Sequence, residues 1–287
     1  MKSDKIKSYC KINLYLKVLK KLDSGYHKIA SLVTFCDLYD VIKINKTNKK
    51  KDKITFSGKF KNNINKNSNT ITKLLYQLRK RKFLKKENFI INVKKNIPHG
   101  SGLGGGSSNA ASLLNFFNLK MDLGINKNKL IKISEHIGFD VPLCLERKNT
   151  FLTGSKRKFT RIKKNFRFNI LIIYPNVKCS TKNIYKRNKK FSRKNLQLKY
   201  LFKNRKKIIN HLKDEHNDLE NAVIKLYPQV KKIINFIKIQ NGCYFSRVTG
   251  AGSACIGIFS SKKTALYAQK LINLKFPKYW SIVSKTI

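Results

Sequence analysis

Pro98-His99-Gly100-Ser101-Gly102-Leu103-Gly104-Gly105-Gly106-Ser107-Ser108-Asn109-Ala110-Ala111 is the stretch on which the reading of this chain turns. Gly102, Gly104, Gly105 and Gly106 fall within five positions. Glycine loses the most conformational freedom on folding, so this density implies backbone at positive φ or pressed against a ligand. The apolar run 89–93 reads as a strand ended by Pro98, and 110–119 reads as an apolar helix. Strand, glycine loop and helix start together make an anion site, because free N–H groups and the helix dipole meet there. A flexible linker is the bland alternative, although linkers rarely run from a strand-ending proline straight into an apolar helix. Gly100-x-Gly102-x-x-Gly105 also fits the dinucleotide fingerprint, with Asp122 downstream, but Asp122 does not close a second strand. No Gly-Lys-Ser/Thr follows, so an ATP loop here is not of the Walker type.

Outward from the loop, the alternation at 12–18 predicts a half-buried strand, followed by a turn at Asp23-Ser24-Gly25. Extended segments are expected at 29–44 and 53–57. A helix is expected over 69–82 with Ser68 or Asn69 as its cap, and another over 127–137 stopped by Gly138. In the second half, strands are expected at 169–174, 243–248, 254–259 and 279–283, and helices at 227–239 and 262–274. The sequence around 155 reads as basic and irregular, and 186–207 as a solvated, low-complexity excursion.

The 287 residues carry 64 Lys and Arg against 14 Asp and Glu, a formal net charge of +50. A nucleic-acid binder would concentrate such charge on one face or tail. Here Lys runs from Lys2 to Lys285 with Asn beside it, and Arg is the minority cation. That spread favours compositional drift, as in a chain encoded by an AT-rich genome, and argues against a specific nucleic-acid partner. The six cysteines form no CxxC pair and show no metal-ligand spacing, which suits reduced thiols in the cytoplasm. No apolar run reaches membrane-spanning length and the N-terminus lacks a signal-peptide core, so no membrane partner is expected.

The loop resembles the second motif of the GHMP kinase superfamily, named for galactokinase, homoserine kinase, mevalonate kinase and phosphomevalonate kinase. Four further segments resemble that superfamily's cytidine-recognising branch, in the same order. They are Cys10-Lys-Ile-Asn-Leu-Tyr-Leu16, Asp23-Ser-Gly-Tyr-His27, Gly138-Phe-Asp-Val-Pro142 and Thr249-Gly-Ala-Gly-Ser253. The resemblance implies an α+β GHMP kinase fold. Residues 1–158 would form a ribosomal-S5-domain-2-like ATP-binding domain, and 159–287 a ferredoxin-like substrate domain.

The same resemblance implies a small-molecule kinase that uses ATP and Mg²⁺ to phosphorylate the tertiary 2-hydroxyl of a cytidine diphosphate-linked methylerythritol, in the non-mevalonate isoprenoid route. Asp140 would be the general base and Lys11 the cation beside it, balancing the carboxylate and the developing alkoxide. Without the resemblance, Asp140 reads equally as a turn or cap residue and Lys11 as surface charge. Pro98, His99, Gly100, Ser101, Gly102, Leu103, Gly104, Gly105, Gly106, Ser107 and Ser108 would hold ATP. Asn13, Tyr26, His27, Tyr185, Gly250, Ala251 and Gly252 would contact the substrate. Ser107 or Ser108 could reach Mg²⁺, with no carboxylate announcing itself as a partner. A homoserine- or mevalonate-type kinase and a basic nucleic-acid-binding protein are the alternatives, and a monomer or homodimer is expected.

Overall fold

A computed structural model describes residues 3–154, 158–162, 166–193 and 204–287 of the chain. The chain divides into two compact units that are discontinuous in sequence. The first contains Met1–Lys11, Leu38–His99 and Gly104–Arg147, and the second contains Ile12–Asp37, Gly100–Leu103 and Lys148–Ile287.

Strands β1 (Asp4–Lys21) and β2 (His27–Thr47) are both longer than their alternation predicts. From Cys10 to Val18 every β1 residue is buried, so the period of two is lost. In the first unit the later half of β2 pairs antiparallel with β4 (Asn88–Lys94), and β3 (Lys53–Ser57) joins β4 in parallel. Helix α1 (Thr70–Lys80) is capped as its sequence suggests. The Asn69 side chain accepts from Ile71 N and Thr72 N, while the Thr72 hydroxyl accepts from Asn69 N, a reciprocal cap. Its apolar stripe Ile71, Leu74, Leu75 and Leu78 is buried. Helix α2 (Gly105–Lys120) packs against α1, and its Phe117 ring lies 4.9 Å from Phe89 of β4. Helix α3 (Lys127–Glu135) and the single turn α4 (Val141–Cys144) complete the unit.

In the second unit the early half of β2 pairs with β5 (Thr150–Gly154), and β5 pairs with β6 (Lys158–Arg161), where the sequence reads as irregular. A second, antiparallel sheet is built from β7 (Asn169–Tyr174), β8 (Cys243–Val248), β9 (Cys255–Phe259) and β10 (Trp280–Lys285). Its spatial order is β10-β7-β9-β8. That order, with helices between β7 and β8 and between β9 and β10, is the ferredoxin-like split βαβ arrangement. The helices are α5 (Thr181–Arg187), α6 (Arg205–Asp214), α7 (Glu220–Leu226), α8 (Gln229–Lys238) and α9 (Lys262–Lys275). One face of the sheet buries Leu171, Ile173 and Phe259 against Ile233, Ile237 and Ile272. Within the expected excursion, α5 runs to Arg187 and α6 begins at Arg205, while 194–203 lie outside the described residues. No helix among the described residues is long and apolar enough to cross a membrane.

Candidate active site

In the first unit the glycine run forms the start of α2, five residues earlier than the alanines suggest. Gly104 is the N-cap in the left-handed region (φ 67°), and no side chain caps the helix. The backbone N–H groups of the first turn are therefore left to a ligand or to water. Gly104 and Gly105 are there for space. A Cβ on Gly104 would meet Lys11 Cγ at 2.5 Å, and one on Gly105 would meet Ile97 Cγ2 at 3.0 Å. Thr70 Oγ1 donates to the Gly106 carbonyl at 2.8 Å, tying the first turn to α1.

The stem of Lys11 thus lies on Gly104, and its Nζ stands 3.3 Å from Asp140 Oδ2. The Lys11 side chain is 7% exposed and that of Asp140 37%. Asp140 occupies the N-cap of α4, yet its side chain makes no capping hydrogen bond. The cap reading that the sequence left open therefore does not account for the carboxylate. Neighbouring Phe139 is 54% exposed.

Of the two loop serines, Ser108 is buried and its Oγ donates to Cys144 Sγ at 3.4 Å, away from the loop mouth. Ser107 is half-buried in the first turn of α2. No group of three or more His, Cys, Asp or Glu side chains comes together among the described residues. Pro98 is buried and His99 is exposed.

In the second unit, residues 100–103 lie against the loop 249–253. Gly102 (φ +87°) is so close that an added Cβ would stand 2.2 Å from Thr249 O, and one on Gly252 would stand 1.9 Å from Ser101 C. Ala254 N donates to Ser101 O at 3.0 Å, and Cys179 N donates to Gly100 O at 2.9 Å. Leu103 is fully buried. The Thr249 hydroxyl accepts from Asn13 N at 2.9 Å, so β1 is joined to this loop at the residue expected to touch substrate. The Asn13 side-chain amide donates to Ser31 Oγ at 2.8 Å.

His27 and Tyr185, distant in sequence, come together with ring centroids 5.0 Å apart and planes inclined by 35°. Tyr26, beside His27, is 55% exposed. Burial, and secondly the charge of Lys21, hold the His27 imidazole below its ordinary value of 6.5. Two aromatic faces beside an exposed third suit a planar, uncharged ring.

Several participants escaped the sequence reading. Lys95 is buried below the loop, paired with the fully buried Asp40, and lies 3.3 Å from the Cβ position of Gly105. Asp40 also accepts from Asn96 N and Ile97 N, fixing the chain that enters the loop. Asn217 donates to the carbonyls of Val248 and Gly250, on either side of Thr249. The available signal was acid placement: four of the 14 carboxylates fall between Asp214 and Glu220.

Comparison with known proteins identifies the family. The GHMP kinases N terminal domain matches residues 69–147, and the GHMP kinases C terminal domain matches 197–271. The chain is 43% identical to the 4-diphosphocytidyl-2-C-methyl-D-erythritol kinase of Pelagibacter ubique (strain HTCC1062), covering 100% of both. It is 35% identical to the kinase of the same name from Caldicellulosiruptor saccharolyticus, over 92% of this chain and 90% of that one. Among solved structures, a 4-(cytidine 5'-diphospho)-2C-methyl-D-erythritol kinase shares the fold with a TM-score of 0.78 at 20% identity, over 99% of this chain and 100% of that one. Methanococcus jannaschii mevalonate kinase does so with a TM-score of 0.70 at 17% identity, over 100% and 99%. The chain belongs to the GHMP kinases and, within them, to the family of the 4-diphosphocytidyl-2-C-methyl-D-erythritol kinases.

Proposed function

We propose that this chain transfers the γ-phosphoryl group of ATP to the 2-hydroxyl of 4-diphosphocytidyl-2-C-methyl-D-erythritol, giving the 2-phosphate and ADP. The step belongs to the non-mevalonate route to isoprenoid precursors, and we place it in the cytoplasm. The observation that carries the chemistry is the 3.3 Å pairing of Lys11 with an Asp140 that caps nothing, beside a helix start that no side chain caps. Phosphoryl transfer needs positioning and charge neutralisation more than covalent chemistry. The N–H groups at the start of α2 receive the phosphates, and the half-exposed Asp140 takes the proton of the attacking hydroxyl. The Lys11 ammonium balances the carboxylate before the proton moves and the oxyanion as it forms.

Magnesium, when bound with ATP, neutralises phosphate charge. The Ser107 hydroxyl is the hard oxygen donor that would hold it, which fits a small cation bound mainly through phosphate and water. His27 and Tyr185 receive the cytosine ring, with Tyr26 beside them, and Asn13 and residues 250–252 meet the remainder of the substrate. This assignment gives residues 1–158 the nucleotide and 159–287 the larger share of the acceptor, in a protein acting as monomer or homodimer and without a specific nucleic-acid partner.

The test is ADP release by the purified protein with the cytidine substrate under Mg²⁺, beside homoserine and mevalonate. Turnover is expected with the first alone, and absence of turnover with it refutes the reading.

A further inference from the structure

The segment 214–220, which neither binds nor reacts in the scheme above, is fastened to the loop 249–253 by atoms that leave little freedom. Asn217 is 5% exposed. Its Nδ2 donates to Val248 O at 2.9 Å and to Gly250 O at 2.8 Å, while its Oδ1 accepts from Leu219 N at 3.0 Å. Two carbonyls on one side and an N–H on the other use both amide hydrogens and fix the amide orientation without ambiguity. Glu220 continues the grip, its Oε2 accepting from Val248 N at 2.8 Å.

The other side of the segment holds β1. Leu16 N donates to His216 O at 3.2 Å, and Asp218 N donates to Leu16 O at 2.8 Å. The Asp218 carboxylate accepts from Val18 N at 2.7 Å. Four bonds therefore run to β1, the fourth from Lys17 Nζ to Glu215 Oε1 at 2.8 Å, and three run to the end of β8 and its loop. Asn13 of β1 closes the circuit through Thr249.

The peptide planes carry the consequence. A trans peptide points its N–H opposite to its C=O. With Gly250 O held by Asn217, the N–H of Ala251 is aimed away from Asn217, and with Val248 O held, the N–H of Thr249 is aimed at Ala254 O, which it reaches at 3.0 Å. Gly250 sits at φ +60°, where its carbonyl could swing were it not tied. The loop so fixed is the one whose Gly252 lies against Ser101 and Gly102.

We infer that Asn217 is a positioning residue for phosphoryl transfer: by fixing the carbonyls of Val248 and Gly250, it orients the 249–253 backbone and, through Gly252, the 100–103 segment of the phosphate loop. The inference rests on the function proposed above, and its test separates the two. Asn217→Asp keeps the shape and the acceptor but turns an oxygen toward two carbonyls. Asn217→Ser, which keeps a single donor, serves should the buried charge prevent folding. Ile272→Val, a truncation in the α9 core, provides a purely structural control. In Asn217→Asp, and less in Asn217→Ser, kcat is expected to fall by about 10²-fold, as for misplaced reacting groups. KM for the cytidine substrate should rise by less than kcat falls, because His27 and Tyr185 are untouched and only the contacts of residues 250–252 shift. Backbone amide exchange should quicken at 249–254 and 100–103 in both Asn217 variants, and not in Ile272→Val.

Unchanged exchange in those two stretches overturns the clamp. Faster exchange with wild-type kcat overturns the catalytic consequence. Wild-type protein that never turns over the cytidine substrate refutes the proposed function instead, a result distinguishable because the exchange measurement needs no turnover.

Discussion

Replacing Gly102 by alanine tests whether the two glycine loops touch as tightly as the structure has them. At φ +87° an L side chain costs about 1–2 kcal/mol by itself. The new Cβ would also stand 2.2 Å from Thr249 O and 2.8 Å from Gly252 N, both backbone atoms, so no rotamer change relieves the overlap. The loops must part by roughly 1 Å, and a misplacement of that size at a reacting site costs about 10²-fold in rate. That corresponds to a barrier raised by about 3 kcal/mol. Strain and overpacking together should remove about 2–4 kcal/mol of stability. Gly124→Ala is the control, because Gly124 also has positive φ, +60°, but nothing lies within 4 Å of its Cβ position. It should show the backbone strain in thermal unfolding and full activity in the ADP-release assay. Gly252→Ala meets the same contact from the other side, at 1.9 Å. The double variant should therefore lose little more activity than either single one, since neighbours sharing one contact are not additive. A folded Gly102→Ala protein with kcat within about threefold of wild type would refute the reasoning, as would an equal loss in Gly124→Ala.

Asp140→Asn keeps the shape of the proposed base and removes its proton affinity, so kcat should drop by about 10²–10⁴-fold with ATP binding intact; ADP release and nucleotide titration report the two separately, and a variant retaining most of its kcat would disprove the assignment. Tyr185→Ala should raise KM for the cytidine substrate by up to about 10-fold at unchanged kcat, the worth of one aromatic contact. The His27 imidazole is held below 6.5 by burial and then by Lys21, so it is neutral at pH 7 and can accept a hydrogen bond from an exocyclic amine. Its folded value being depressed, the neutral form predominates from 6.5 upward and is lost as pH falls through the lower value; KM for the cytidine substrate should be flat from neutral pH upward and climb as pH falls below 6.5, and a KM that does not move there disproves the contact. Arg247, buried with its guanidinium donating to Leu14 O and Leu212 O, is pushed down to about 10 by burial against the pull of Glu220 and Glu215. Arg247→Met should cost about 3 kcal/mol by leaving two carbonyls and two carboxylates without their cation, measured by denaturant unfolding.

The parts of this fold legible in the sequence are those whose signal is local. The cap at Asn69 is written in three residues, and strand β7 is a continuous apolar run with the same bounds in sequence and structure. Local signals failed where burial is two-sided or where long-range packing decides. β1 extends to Lys21 although its flanks are lysines, because the fully buried centre carries the pairing outward. Helix α2 starts on glycines, which have poor helix propensity, because any side chain at Gly104 or Gly105 would collide with Lys11 or Ile97. The turn α4 is too short to show a period, and β6 is too basic to look like a strand. At the site, Lys11 and Asp140 were found only through motif resemblance. The aromatic pair of His27 and Tyr185 joins residues far apart in sequence that no periodicity links, and Asn217 lies in a segment without a motif at all.

The charge of the chain gives that last segment its meaning. In a protein with 64 cationic side chains, a carboxylate on the surface can be exchanged for lysine at small cost. A carboxylate that accepts from backbone N–H groups in a buried place cannot, because an ammonium there would face donors with a donor. Asp40 receives Asn96 N and Ile97 N, Asp52 receives Phe89 N, Asp218 receives Val18 N, and Glu220 receives Val248 N. Asp140 differs from these in place: its side chain makes no helix-capping bond and is more than a third exposed. Its carboxylate stands 3.3 Å from the buried cation Lys11 and is partly open to solvent. An acid held in a buried place by backbone donors is a structural part, whereas one paired with a buried lysine and partly open to solvent suits the proton transfer proposed for it. The same composition that looked like drift across the surface therefore separates the carboxylates that brace strands and loops from the one proposed to react.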